Sequence, residues 1–232
     1  MLKLVISMPP GRRRAFLRIL TCAAGLTAYL LDAAPVGIFD NSGDIGVMPK
    51  PGKAEYDSDN NEYRITGGGA NVWMKADAFQ FVWKRVSGDI TLSADIRFPE
   101  AGVMPHRKAM LMIRQSLEPD AAYADVAVHG EGLTSLQYRP AAGAMTAEIQ
   151  APAKAPISVR IERRGEKMTI YTGKPGEELQ PVGPATVVLR DPVYVGLGVC
   201  SHQADVLETA IFSNVQLEAS EPPVARGGGY AR

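Results

Sequence analysis

The sequence predicts an all-β protein, an antiparallel sandwich or jelly roll, on three observations. Short segments alternate apolar and polar residues with period two. Turn-forming residues punctuate them, in a chain of 232 residues with 23 glycines and 17 prolines. After Leu31 no long stretch keeps the 3.6-residue period of a helix.

The clearest strand is DITLSADIRF, which places Ile90, Leu92, Ala94, Ile96 and Phe98 on one face and Thr91, Ser93, Asp95 and Arg97 on the other. Such alternation marks an antiparallel strand with one buried face. PISVRIERR repeats it with Ile157, Val159 and Ile161 inward, and GEKMTIYTG follows through Gly165 and Glu166, a tight hairpin turn. Further strands are predicted in QFVWKRV, KAMLMIRQS, YADVAVHG, LTSLQYR, ATVVLR, VYVGLGVCS and ETAIFSNVQLE. Between them lie the turn segments PEAG, EPDA, EG, PAAGA, KPGEE and RDP. One domain of about 200 residues is expected, because β sandwiches reach that size undivided.

Composition narrows the function classes. With 46% hydrophobic residues the chain can bury a core. Lys+Arg and Asp+Glu both number 25, which argues against a nucleic-acid partner and its basic stripe. Charge is uneven, however: residues 1–34 carry Lys3, Arg12, Arg13, Arg14 and Arg18 against Asp32, leaving 20 basic and 24 acidic residues in the remainder.

Residues 1–36 read as an export signal. The basic start is followed by ILTCAAGLTAYLL, an apolar run too short for an ordinary membrane span. RRAFLR resembles a twin-arginine signal, with Arg12 where Ser or Thr is usual. Export to the periplasm or beyond is expected, with no stable membrane insertion unless the signal stays uncleaved as an anchor. Cys22 would leave with that signal, and Cys200 alone cannot form an intramolecular disulfide. The domain should run over 37–218. Residues 219–232, containing EPPVARGGGYAR, have no apolar period and should form a flexible tail.

In order, SGDITLSADIRF, AMLMIRQS, AYADVAVHG, ISVRIERRGEKMTIYTG, VYVGLGVCSHQ and ETAIFSNVQLE resemble the regulation-of-enolase-type family of the concanavalin A-like lectin/glucanase superfamily. The resemblance covers roughly Gly37 to Glu218, and its most telling parts are the RIERRG hairpin and the GLGVCS strand. It implies a two-sheet antiparallel jelly roll with one concave face. It also implies a module often joined to larger secreted or periplasmic proteins. Fold alone gives no activity.

Sugar chemistry is therefore tested on the residues. Glycoside hydrolysis usually needs two facing carboxylates, and no predicted strand carries the E-x-D-x-E alternation of the jelly-roll glucanases. Binding needs less: aromatic surface plus groups for hydroxyls. If the strands KAMLMIRQS, YADVAVHG and LTSLQYR are neighbours, Arg114, Tyr123, Asp125, His129 and Gln137 line one concavity. The competing reading is an ordinary half-solvated polar face with an Arg–Asp pair. A carbohydrate-binding or protein-interaction module is thus expected, with Arg114→Ala or Tyr123→Ala abolishing glycan retention without unfolding the domain. The alternative is a sugar hydrolase or lyase using Asp125 and His129 as acid and base.

No cofactor or metal is expected. DSDNNE starts like a calcium loop but has Glu62 at the sixth position and Gly68 at the twelfth, so a polar hairpin turn is the better reading. His106, His129 and His202 show no ligand spacing for zinc, and TGGGAN is not followed by the Lys-Ser/Thr of a phosphate loop. Trp73 and Trp83 are expected in the core. Cys200 and His202 lie two apart, but VGLGVC reads as a strand buried on both faces, with the cysteine a small hydrophobe.

Overall fold

A computed structural model describes residues 35–154 and 157–220. Residues 1–34, nearly all of the segment read as an export signal, and most of the expected tail lie outside the described residues. In chain order the strands are β1 (Asn41–Ile45), β2 (Lys53–Asp57), β3 (Glu62–Gly67), β4 (Val72–Trp73), β5 (Ala76–Asp77), β6 (Phe79–Val86), β7 (Ile90–Arg97) and β8 (Lys108–Arg114). Then follow β9 (Tyr123–His129), β10 (Thr134–Arg139), β11 (Ala147–Ala151), β12 (Ile157–Arg164), β13 (Lys167–Gly173), β14 (Gln180–Thr186), β15 (Val193–Cys200) and β16 (Glu208–Ala219).

Among the described residues two seven-stranded sheets form, one in the order β1-β6-β15-β8-β9-β10-β11 and the other β14-β13-β12-β7-β16-β3-β2. All their pairings are antiparallel. Strands β4 and β5 form a separate two-stranded hairpin. This is the jelly-roll sandwich the alternation predicts, with neighbours in each sheet drawn from distant parts of the chain.

Period two decides which face of each strand meets the other sheet. On β7, Ile90, Leu92, Ala94 and Ile96 are buried, and on β12 Ile157, Val159 and Ile161 are. They meet Ala109, Leu111 and Ile113 of β8, Val126 and Val128 of β9, and Val195, Leu197 and Val199 of β15 in one apolar core. Each fully buried aliphatic side chain there contributes about 1.5–3 kcal/mol. The second sheet keeps a polar outer face, where Asp95 accepts hydrogen bonds from Ser158 and Asn214. At the β12–β13 turn Gly165 takes φ +60°, a conformation glycine adopts without penalty. The predicted DSDNNE turn joins β2 to β3, with the Asp57 carboxylate accepting from the Asp59 and Asn60 amides.

Two expectations are corrected. ATVVLR is not a strand over its length: β14 takes QPVGPAT and ends at Thr186. Among the described residues this strand lies at the sheet edge and pairs with β13 alone, which is where Pro181 and Pro184 are tolerated. The second correction concerns β8, β9 and β10, read as half-solvated. Every residue of β8 and β9 is buried, because the first sheet is covered on its outer face as well. There Ile45, Val72, Phe79, Phe81, Met110, Met112, Tyr123, Ala127 and Cys200 form a second apolar cluster.

Candidate functional site

Register builds the outer face of the first sheet. Strands β8 and β9 pair Lys108 with His129, Met112 with Asp125 and Arg114 with Tyr123. Strand β10 sets Gln137 beside Asp125 and Arg139 beside Tyr123, and β11 sets Glu148 beside Gln137. Side chains opposite one another in such pairs are in contact distance. The five sequence-predicted residues, Arg114, Tyr123, Asp125, His129 and Gln137, therefore do share one face. They divide between a sealed end and an open end.

At the sealed end, the β4–β5 hairpin lays Asp77 over the sheet. Arg139 grips both carboxylate oxygens, at 2.6 and 2.9 Å, and Arg114 approaches at 3.5 Å, with all three side chains fully buried. Arg114 also donates to the carbonyls of Ser116 and Glu118, at 2.7 and 2.6 Å. Its guanidinium lies over Phe79, and that of Arg139 over Tyr123. Tyr123 and Thr146 share a hydroxyl hydrogen bond of 3.2 Å. Burial pushes the Asp77 carboxyl up, against the pull of both guanidinium groups, and lowers Arg114 to about 10. Arg114 and Tyr123 thus belong to a buried ion network. The Arg–Asp pair anticipated on this face exists, with Asp77 rather than Asp125 as its acid.

At the open end lies a cavity of about 260 Å³ lined by Asn71, Trp73, His106, Lys108, His129, Gln137, Glu148 and His202. Its floor is a hydrogen-bonded chain. Lys108 Nζ donates to Val72 O (2.8 Å) and Gln137 Oε1 (3.0 Å), and Gln137 Nε2 donates to Glu148 Oε1 (3.0 Å). Ser135 and Gln150 also donate to Glu148; against its partial burial, these bonds hold the carboxyl below its ordinary range. Trp73 stands 5.5 Å from Lys108 Nζ. Asp125 is fully buried beneath this floor, and neither carboxyl oxygen has a hydrogen-bond partner among the described residues. Burial drives Asp125 upward and Lys108 downward, each opposed by the other's charge.

The three histidines converge at the rim. The His106 ring lies 6.0 Å from that of His129 and 5.6 Å from that of His202. His106 Nδ1 meets Glu131 at 2.8 Å, His129 Nδ1 meets the Leu133 carbonyl at 3.0 Å, and His202 Nε2 meets Asn71 Nδ2 at 3.1 Å. Burial, with Lys108 alongside, lowers His129 to about 4. Among the described residues no three of His, Cys, Asp and Glu are placed to hold a metal ion. Cys200 is sealed under Gly69, and burial raises it to about 11, so the thiol is protonated at neutral pH and not activated by His202.

Of the predicted residues, His129 and Gln137 reach the cavity, whereas Arg114, Tyr123 and Asp125 lie buried away from it. Sequence reasoning missed Asn71, Trp73, His106, Lys108, Glu148 and His202 as a group. In KAMLMIRQS, Lys108 and Arg114 stand six residues apart, so period two puts them on one face. No sequence signal joins His106 or His202 to this strand, since both come from loops.

No family model matches the chain, and no curated protein matches it in sequence. Solved structures share its fold. A functionally unknown protein from Saccharomyces cerevisiae superposes with a TM-score of 0.58 at 15% identity, over 78% of this chain and 97% of that one. A xylan β-1,4-xylosidase from Bacillus halodurans gives 0.50 at 19% identity, over 68% of this chain and 32% of that one. The Bacteroides ovatus GH43B protein of a xyloglucan locus gives 0.50 at 17% identity, over 68% and 33%. This chain spans about a third of the length of the latter two. At such identities the likeness shows the fold.

Proposed function

We propose that this chain is an exported carbohydrate-binding jelly roll, non-catalytic and of the regulation-of-enolase type, which holds a sugar in the cavity at the open end of its first sheet. The observation carrying this reading is the cavity's make-up: an indole wall beside amide, imidazole and carboxylate groups already fixed by neighbours. Aromatic surface for the C–H faces of a sugar and convergent polar groups for its hydroxyls are what such recognition needs. At about 260 Å³ it suits one or two sugar rings rather than a long chain. That a domain of this fold forms a third of a xylosidase is consistent with a module serving glycan-active proteins. His129 and Gln137 contact the ligand, and Arg114, Tyr123 and Asp125 support the sheet beneath it.

Glycan-array screening followed by calorimetry tests this. Trp73→Ala and Gln137→Ala should each weaken retention by about tenfold or more, with the fold intact by circular dichroism. A folded wild-type protein that retains no glycan contradicts the reading.

One observation favours the second reading, a sugar hydrolase or lyase. His129 bonds a carbonyl through Nδ1, which leaves Nε2 as a base beside Glu148 at the same cavity. Asp125, too deeply buried to meet a ligand, would have no direct part in it. Release of reducing ends or unsaturated sugars that stops in His129→Gln would establish catalysis.

A further inference from the structure

The polar atoms left unpaired on the cavity wall indicate which sugars it takes; this step rests on the binding reading above. Lys108 spends two of its three N–H groups on Val72 O and Gln137 Oε1, and Gln137 spends its amide on Lys108 and Glu148. Besides the third N–H of Lys108, the cavity offers acceptors. Leu133 O can only accept, so His129 Nδ1 carries the proton and Nε2 presents a lone pair. Glu148 Oε2 takes one hydrogen bond, from Gln150, and has room for another.

The charge balance points the same way. Lys108 and Asp125 oppose each other's charge. Glu148 makes no ion pair among the described residues, its partners being Ser135, Gln137 and Gln150, and Glu131 adds a second acid behind His106 at the rim.

We propose that the cavity selects neutral sugars, whose hydroxyls donate to His129 Nε2 and Glu148 Oε2, and rejects uronates. A uronate carboxylate only accepts hydrogen bonds. Facing Glu148 it would meet a like charge and offer no hydrogen to Glu148 Oε2 or His129 Nε2, an arrangement that discriminates against it.

Calorimetric titration of the full chain with xylotriose, cellotriose, trigalacturonate and trimannuronate tests the proposal. A neutral trisaccharide should bind, with both uronates weaker by about tenfold or more. Glu148→Gln should narrow that gap to about threefold, by removing the like charge. Added salt should narrow it in the wild type too, a measurement that needs no variant. Uronate binding equal to or tighter than neutral binding, or a gap that ignores both salt and Glu148→Gln, overturns the selectivity and leaves the binding reading standing. Binding of none of the four by a folded protein that also retains nothing on a glycan array overturns both.

Discussion

Asp77 is the residue on which the sealed end depends. It neutralises two fully buried guanidinium groups, Arg114 and Arg139, and ties the β4–β5 hairpin to the sheet. Removing it leaves both cations uncompensated in a low-dielectric site, which costs about 3–5 kcal/mol. Asp77→Ala should therefore lose about that much stability in denaturant unfolding; a loss below about 1 kcal/mol would mean that the carboxylate is not the partner of these arginines. For the same reason Arg114→Ala is expected to destabilise the domain, contrary to the expectation from sequence. At the open end His129 provides a pH test. Its unfolded imidazole takes up a proton near 6.5, whereas the folded one waits until about 4. The wild type should therefore lose stability relative to His129→Gln as pH falls across that window, by up to about 3 kcal/mol. Nuclear magnetic resonance titration should find a neutral ring with the proton on Nδ1 above pH 5 or so; a midpoint near 6.5 contradicts this placement.

Among elements, the hairpin Val72–Asp77 and the loop leading into it decide what the first sheet can do. Gly69 passes close to the Ala78 carbonyl with φ +102°, so a side chain there meets both strain and a clash. Gly69→Ala should cost about 2 kcal/mol or more and lower the thermal midpoint; an unchanged midpoint would show that the loop packs otherwise. The hairpin also explains what was legible from sequence. Strands β7 and β12 carry their burial in their own alternation, so their faces were readable. Strands β8, β9 and β10 carry the same polar alternation, but the cover over Arg114, Tyr123 and Arg139 arrives from a segment far earlier in the chain. A local pattern cannot distinguish a polar face open to water from one satisfied by a distant Asp77. Strand β14 was hidden differently, because its two prolines argue against a strand unless one knows that it lies at an edge.

For the whole molecule, the sandwich gives a rigid frame whose core is independent of the site. Leu92 and Ile161 are fully buried neighbours between the sheets, on the far side of β8 and β9 from the cavity. Leu92→Ala should cost about 2–5 kcal/mol of stability while leaving the cavity walls in place. The fold was legible because two-fold periodicity and turn residues recur along the chain. The site was not, because it gathers Asn71 and Trp73 from the hairpin region, His106 and His202 from loops, and Glu148 from an edge strand. Only the antiparallel register brings these together around Lys108 and Gln137. The most direct test of the account is calorimetric titration of the folded chain with neutral oligosaccharides, in parallel with Trp73→Ala. Saturable binding by the wild type, weakened about tenfold or more in the variant, is the predicted result. Binding that is unchanged when Trp73 is removed, or absent from a folded wild type, would contradict the assignment of this cavity as a sugar site.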